Sequence, residues 1–217
     1  MNIEQARFNM IEQQIRPWDV LDLDVLDLLK VVKRENFVPA AYANLAFVDS
    51  EIPLPGGESM LTPKLEARIL QEVKVKKHET VLEIGTGSGY MAALLSHKAR
   101  QVTSVEISPE LKDFAVKNLA ANGAGNVVVE LGNGAQGWSN GAPFDVIVIS
   151  GSLPVLPDTF LQQVKVGGRI FAILGEAPAM SGHLITRTGE AAYDNVKLFE
   201  TSAKALASAT TPSHFTF

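Results

Sequence analysis

VLEIGTGSGY, residues 81–90, is the stretch that decides the fold. A short apolar strand, 81–85, runs into glycines at 85, 87 and 89, and a helical stretch, 91–97, follows. Without Cβ atoms the chain can turn tightly and a ligand can come close to the backbone. A phosphate-cradling Walker A loop needs a lysine after the glycines, and Tyr90 stands there instead. The dinucleotide pattern G-x-G-x-x-G needs glycine at that same position. G-x-G-x-G suits a nucleoside cofactor with a small charged tail and no pyrophosphate; a bare tight turn is the other reading.

Downstream, strands are expected at 102–107, 126–131, 144–150 and 169–174, with helices at 109–122 and 158–164 between them. Strands alternating with helices make βαβ units, hence a largely parallel sheet covered on both faces. Segments 183–187 and 195–201 have no helix between them and are expected to pair as an antiparallel edge hairpin. The tail from Ala203, rich in Ala, Ser and Thr, shows no clear boundary. Upstream, apolar residues recur at helical spacing over 4–15, ended by Pro17. A second helix, capped by Asp22 or Asp24, runs to Lys33, and a third spans 64–75. This divides the chain into a helical, substrate-side extension over 1–78 and an α/β core over 79–217, together one compact domain.

Composition excludes several classes. The 217 residues carry 19 Lys and Arg against 24 Asp and Glu, a net charge of -5, which argues against a broad nucleic-acid-binding surface. With no cysteine, disulfides, thiolate metal sites and a cysteine nucleophile are ruled out. The four histidines are scattered, so no metal motif is expected. The amino terminus lacks the basic and apolar regions of a signal peptide, and the longest apolar runs are strand-sized. A cytoplasmic protein with no membrane association is expected.

Glu106, at the end of the second strand and 21 residues beyond Gly85, is placed to accept hydrogen bonds from both hydroxyls of a ribose. Glu83 has three readings: in two of them it orders the glycine loop or sits across from a cationic group of the cofactor. A plain structural role is the third. LGNGAQGW, 131–138, follows the third strand and reaches the same carboxyl-end crevice. There Asn133 is a candidate for an adenine edge, with Gly134 and Ala135 leaving backbone beside the ring. Ile107 is a candidate for packing on the adenine face. Trp138 reads as a packing residue.

Together these motifs, with PFDVIVISGSLPVLP (143–157) and VKVGGRI (164–170), resemble class I S-adenosylmethionine-dependent methyltransferases. MIEQQIRPWDVLDLDVLDLLKVVKRENFVP (10–39), AYANLAFVDSEIPLPGG (41–57) and the Pro63 helix narrow the resemblance to the protein-L-isoaspartate (D-aspartate) O-methyltransferases. It covers about residues 4–176. The implied fold is a Rossmann-like, seven-stranded α/β sheet with an N-terminal helical extension. S-adenosylmethionine is the implied cofactor: Gly85, Thr86, Gly87, Ser88 and Gly89 around its methionine portion, Glu106 on its ribose, the Asn133 loop around adenine. The family usually has Asp where Asn133 stands. Asn can still accept through its carbonyl.

On the substrate side the family pattern reads roughly L-P-I-G-x-G-Q-(T/S)-I-S-x-P, and this chain has IPLPGGESMLTP, 52–63. Ser59 matches the earlier hydroxyl. Leu61 replaces the later serine, whose hydroxyl lies beside the substrate carboxylate, and Pro55 and Glu58 replace glycine and glutamine. Thr62 is a candidate for a displaced hydroxyl, so Ser59 and Thr62 are the expected catalytic pair; capping of the next helix is the alternative for both. In SGSLP, 150–154, Gly151 and Ser152 are expected to line the path of the substrate backbone. The same segment lacks the D/N-P-P-Y/F sequence of amino-methylating nucleic-acid enzymes. The expected acceptor is the carboxylate of an isoaspartyl residue in a damaged protein or peptide. The alternatives are another, small acceptor or a non-catalytic nucleoside-binding protein. Oligomeric state is not legible.

Overall fold

The structure is a computed structural model that describes residues 2–210. It begins with α1 (Ile3–Met10), prolonged by a π-helical turn over Ile11–Ile15 and a 3-10 turn over Arg16–Trp18 that contains Pro17. Next comes α2 (Leu23–Val31), capped by the Asp22 carboxylate, which accepts the Asp24 N–H. Two-residue strands β1 (Ile52–Pro53) and β2 (Ser59–Met60) form a small antiparallel hairpin around the Pro55–Gly57 turn. The helix α3 (Pro63–Val73) completes the extension, with Pro at its first turn, where a missing N–H costs nothing.

The core then alternates as expected: β3 (Thr80–Ile84), α4 (Tyr90–Lys98), β4 (Gln101–Glu106), α5 (Pro109–Ala121), β5 (Val127–Leu131), β6 (Phe144–Leu153), α6 (Asp158–Gln163) and β7 (Val164–Glu176). β8 (Ala179–Arg187) and β9 (Tyr193–Thr201) are the last strands among the described residues. One seven-stranded sheet results, in the order β5-β4-β3-β6-β7-β8-β9. The first five are parallel; β8 and β9 are antiparallel, the hairpin read from the sequence.

Strand alternation sorts the core into two layers. Val81, Val102, Val146 and Phe171 face a cluster that also holds Ile11, Leu29, Ile69 and Leu94, so the extension and the sheet bury one another. Leu82, Ile84, Ile147 and Ile170 face the opposite cluster, closed by Phe160 of α6 and flanked by Trp138 and Leu206. Deep in the first layer, the Arg34 guanidinium pairs with Glu66 of α3 and donates to the Leu61 carbonyl at 2.8 Å. Its face lies 5.2 Å from the Tyr90 ring centroid.

From β3 the chain winds outward to β4 and β5, then returns to place β6 on the other side of β3. At such a reversal the connections leave the sheet in opposite directions and open a crevice at the carboxyl ends of the strands. β6 is irregular beside it. Its pairing with β7 jumps from Val148↔Phe171 to Ser152↔Ile173, so extra residues bulge out around Ser150 and Gly151.

Candidate active site

A cavity of about 280 Å³ occupies this crevice. Its wall includes Gly85 and Gly87 after β3, Glu106 and Ile107 at the end of β4, and Asn133, Gly134 and Ala135 after β5. Seven of the predicted cofactor residues therefore meet at one place.

Gly85 and Gly87 take left-handed backbone angles, φ +93° and +54°. A side chain at either would be strained. The turn they make aims the Gly87 N–H at the Glu106 carboxylate, 2.9 Å away, and the Ser108 N–H meets the other oxygen at 3.0 Å. A carboxylate offers about four acceptor positions, so two remain for hydroxyls of a ligand. Glu106 is 5% exposed, which keeps those positions out of bulk water.

Glu83 is fully buried and is absent from the cavity wall. Its carboxyl accepts from Ser104 at 2.6 Å and from Ser150 at 3.0 Å, and Ser104 in turn bonds the Thr86 hydroxyl at 2.6 Å. Burial pushes its pKa up to about 8. β3 places Glu83 on the sheet face it shares with Val81, where Ser104 and Ser150 hold its carboxyl, and outside the lining of the cavity where a cofactor cation was expected. The loop-ordering reading matches the geometry, because the Ser104–Thr86 link ties Glu83 to the glycine turn.

The rest of that turn supports the wall without forming it. Besides Thr86, Ser88 is buried, with its carbonyl accepting from Asn118 at 2.9 Å, and Gly89 caps α4 against Leu119. These three belong behind the cavity.

In the third loop the Asn133 side-chain oxygen accepts the Ala135 N–H at 3.0 Å, folding a tight turn. A Cβ on Gly134 would come within 2.7 Å of Ile84, so only glycine lets this loop lie on β3. Trp138 packs over Gly132 away from the cavity, as its packing role required.

On the substrate side, Ser59, Leu61 and Gly151 line the cavity, while Thr62 and Ser152 do not. Thr62 sits at the start of α3, its carbonyl accepting the Leu65 and Glu66 N–H groups. That position leaves Thr62, the expected displaced hydroxyl, outside the cavity lining, and its side chain makes no capping bond. Ser59 donates to Glu51 at 2.9 Å. Ser152 is fully buried because the chain after β9 lies on it: its hydroxyl donates to the Ala203 carbonyl at 2.9 Å, and its backbone pairs with Lys204 and Leu206. That segment supplies wall residues absent from the sequence reading, Lys204, Ala205, Leu206 and Ala207. Leu206 fills the hollow left by two glycines, 3.2 Å from where a Gly85 Cβ would stand and 2.7 Å from a Gly151 Cβ.

The cavity therefore offers a glycine cradle, a strand-end carboxylate with free lone pairs and a loop carrying an amide. These fit a nucleoside with a short tail. Among the described residues, no cluster of three His, Asp or Glu suited to a metal ion is present.

Comparisons with known proteins agree with this geometry. The family model for protein-L-isoaspartate(D-aspartate) O-methyltransferase matches residues 5–198. A protein-L-isoaspartate O-methyltransferase 1 of Rhodopseudomonas palustris is 38% identical over 191 residues, covering 88% of this chain and 77% of that one. A solved protein-L-isoaspartate O-methyltransferase superposes with a TM-score of 0.77 at 25% identity, covering 94% of this chain and 66% of its own. A solved Plasmodium falciparum protein, described as a putative member in complex with S-adenosyl-L-homocysteine, shares the fold with a TM-score of 0.79 at 18% identity, covering 95% and 99%. With a family match across most of its length and these relatives beside it, the chain belongs to the protein-L-isoaspartate(D-aspartate) O-methyltransferase family.

Proposed function

We propose that this enzyme transfers a methyl group from S-adenosylmethionine to the free carboxylate that isoaspartyl residues expose in damaged proteins and peptides. The observation that carries the cofactor half is the Glu106 carboxylate, fixed by the Gly87 and Ser108 N–H groups at the mouth of a glycine turn. Glu106 would hold the ribose, Gly85 and Gly87 the methionine portion, and Asn133, Gly134, Ala135 and Ile107 the adenine.

When bound, the cofactor supplies a methyl group on a sulfonium, which leaves as a neutral thioether. A carboxylate acceptor is already ionised at neutral pH, so the protein needs no general base. With the cofactor held by Glu106, Gly85 and the Asn133 loop, transfer to a carboxylate oxygen would yield a methyl ester and S-adenosylhomocysteine. The protein's part is alignment and exclusion of water. Leu206, the Gly151 bulge and Leu61 supply an apolar surround for that displacement. Ser59 is the hydroxyl nearest to a catalytic role on this side. No helix among the described residues is long and apolar enough to cross a membrane, and a cytoplasmic location belongs to the same proposal.

The rim gives one reason for a second reading. Glu51 and Glu58 both face the acceptor side, and Leu61 has no donor. An acceptor other than an isoaspartyl carboxylate would suit that charge. Methylation of an isoaspartyl peptide, compared with its aspartyl isomer and using labelled cofactor, tests the choice. Selective, base-labile labelling of the isoaspartyl form is expected. Labelling of neither peptide by a protein that binds the cofactor would favour the second reading.

A further inference from the structure

Outside the cavity, β1, β2 and the chain after β9 border an open groove of about 740 Å³. Glu58, Ser59, Lys204 and Ala205 line both the groove and the cavity, so these four form the partition between them. Lys204 is the one cation among the described residues lining either space.

Its backbone is fixed. The Lys204 carbonyl accepts the Ser152 N–H at 2.9 Å, which holds it beside the Gly151 bulge. The ammonium donates to the Gly57 carbonyl and pairs with Glu58, each at 2.8 Å. An ammonium has three donors, so one is left. The pair is about half exposed, with side-chain accessibilities of 47% for Lys204 and 38% for Glu58, and is open to an incoming ligand.

The side chains that flank Lys204 on the β1–β2 side offer an anion no free donor. Leu61 has no donor, the Ser59 hydroxyl is committed to Glu51, and Glu51 and Glu58 are themselves acidic. Resting on the carboxylate-acceptor reading above, we propose that Lys204 is the specificity-determining residue that receives the acceptor's carboxylate as it passes from the groove to the cavity, with Glu58 as its resident competitor. Lys204 then supplies, from the far end of the chain, the donor that the segment around Leu61 lacks. Glu58 sets a charge threshold: a neutral side chain cannot displace it, whereas a carboxylate can.

The test uses the full-length protein loaded with S-adenosylhomocysteine and a fluorescent isoaspartyl peptide for binding, and labelled S-adenosylmethionine for turnover. Lys204→Ala is expected to raise the peptide Kd and KM by about three- to tenfold, as befits a half-exposed charge contact, with kcat changed little. Affinity for S-adenosylhomocysteine should stay within about twofold, less than a third of a factor of ten. Lys204→Arg should recover most of the loss. Glu58→Gln removes the competitor and should lower the peptide Kd and KM. If the pair were only a structural latch, Glu58→Gln and Lys204→Ala would shift both constants the same way. That outcome, or an unchanged KM in Lys204→Ala beside an active wild type, overturns the proposal and leaves the methyltransferase reading intact. A wild-type protein that neither binds nor methylates the peptide overturns both.

Discussion

The Glu106 carboxylate accepts the backbone N–H of Gly87 at 2.9 Å, tying the end of β4 to the glycine turn that follows β3. One side chain thus shapes the turn and presents its remaining lone pairs to the cavity. The two jobs are separable by measurement. Glu106→Ala removes charge-assisted bonds to a ligand and should weaken S-adenosylhomocysteine binding by about 1–3 kcal/mol in calorimetry. Unchanged affinity in the folded variant would contradict the ribose assignment.

Gly151 and Leu206 meet so closely that a single methyl group matters. A Cβ at 151 would lie 2.7 Å from Leu206 Cδ2. Gly151→Ala should therefore push the C-terminal segment off β6, costing about 1–3 kcal/mol as overpacking does. Adding Leu206→Ala opens the space again and should recover much of that cost. A double-mutant cycle in thermal denaturation reads the coupling, and additive effects would refute the contact.

Arg34 and Glu66 form a buried pair, at 1% and 4% side-chain exposure, that holds the Leu61 carbonyl from below. Arg34→Ala leaves the Glu66 carboxyl without its partner and should cost about 3–5 kcal/mol in denaturant unfolding, whereas Arg34→Met with Glu66→Leu should cost far less. A small loss in Arg34→Ala would mean that the pair is not buried in solution.

Burial raises the Glu83 pKa from its ordinary value of 4.5 to about 8, so the folded state holds a proton that the unfolded chain releases. Between those values the native state binds more protons, and stability must fall as pH rises, by at most about 1.4 kcal/mol per pH unit from this group. Its contribution is complete below about pH 4.5 and lost through pH 8. Glu83→Gln keeps the shape and cannot ionise, so it should flatten the decline between pH 5 and 8. An identical pH profile in the variant would show that Glu83 does not carry the effect.

Leu61 lines the cavity, two residues after Ser59 in the chain. Leu61→Ser restores a donor where the family pattern has one and should raise isoaspartyl methylation, read as kcat/KM. No gain would count against the alignment of this segment.

The sequence made the cavity wall after β3, β4 and β5 legible because its signals are local. The glycines at 85 and 87 need left-handed angles, Glu106 ends a strand, and Asn133 with Gly134 builds a turn of its own within three residues. The strand-by-strand plan was legible too, since each strand's period fixes its two faces. What stayed hidden depends on contacts between distant segments. Nothing in SGSLP shows that Ser152 lies beneath Ala203–Leu206, and nothing in the Ala- and Ser-rich tail marks Lys204 and Leu206 as wall residues. Thr62 carries the composition of a catalytic hydroxyl, but the first turn of α3 places it off the cavity. Glu83 lies one strand position from the turn, and strand alternation puts it on the face shared with Val81, bonded to the neighbouring strands at Ser104 and Ser150.

A crystal structure with S-adenosylhomocysteine bound tests the central claim most directly. The account predicts the ribose hydroxyls on the Glu106 carboxylate, the adenine beside Asn133 and Ala135, and the sulfur facing the opening between Ser59, Gly151 and Lys204. A ligand lying anywhere else, or a ribose with no contact to Glu106, would contradict it.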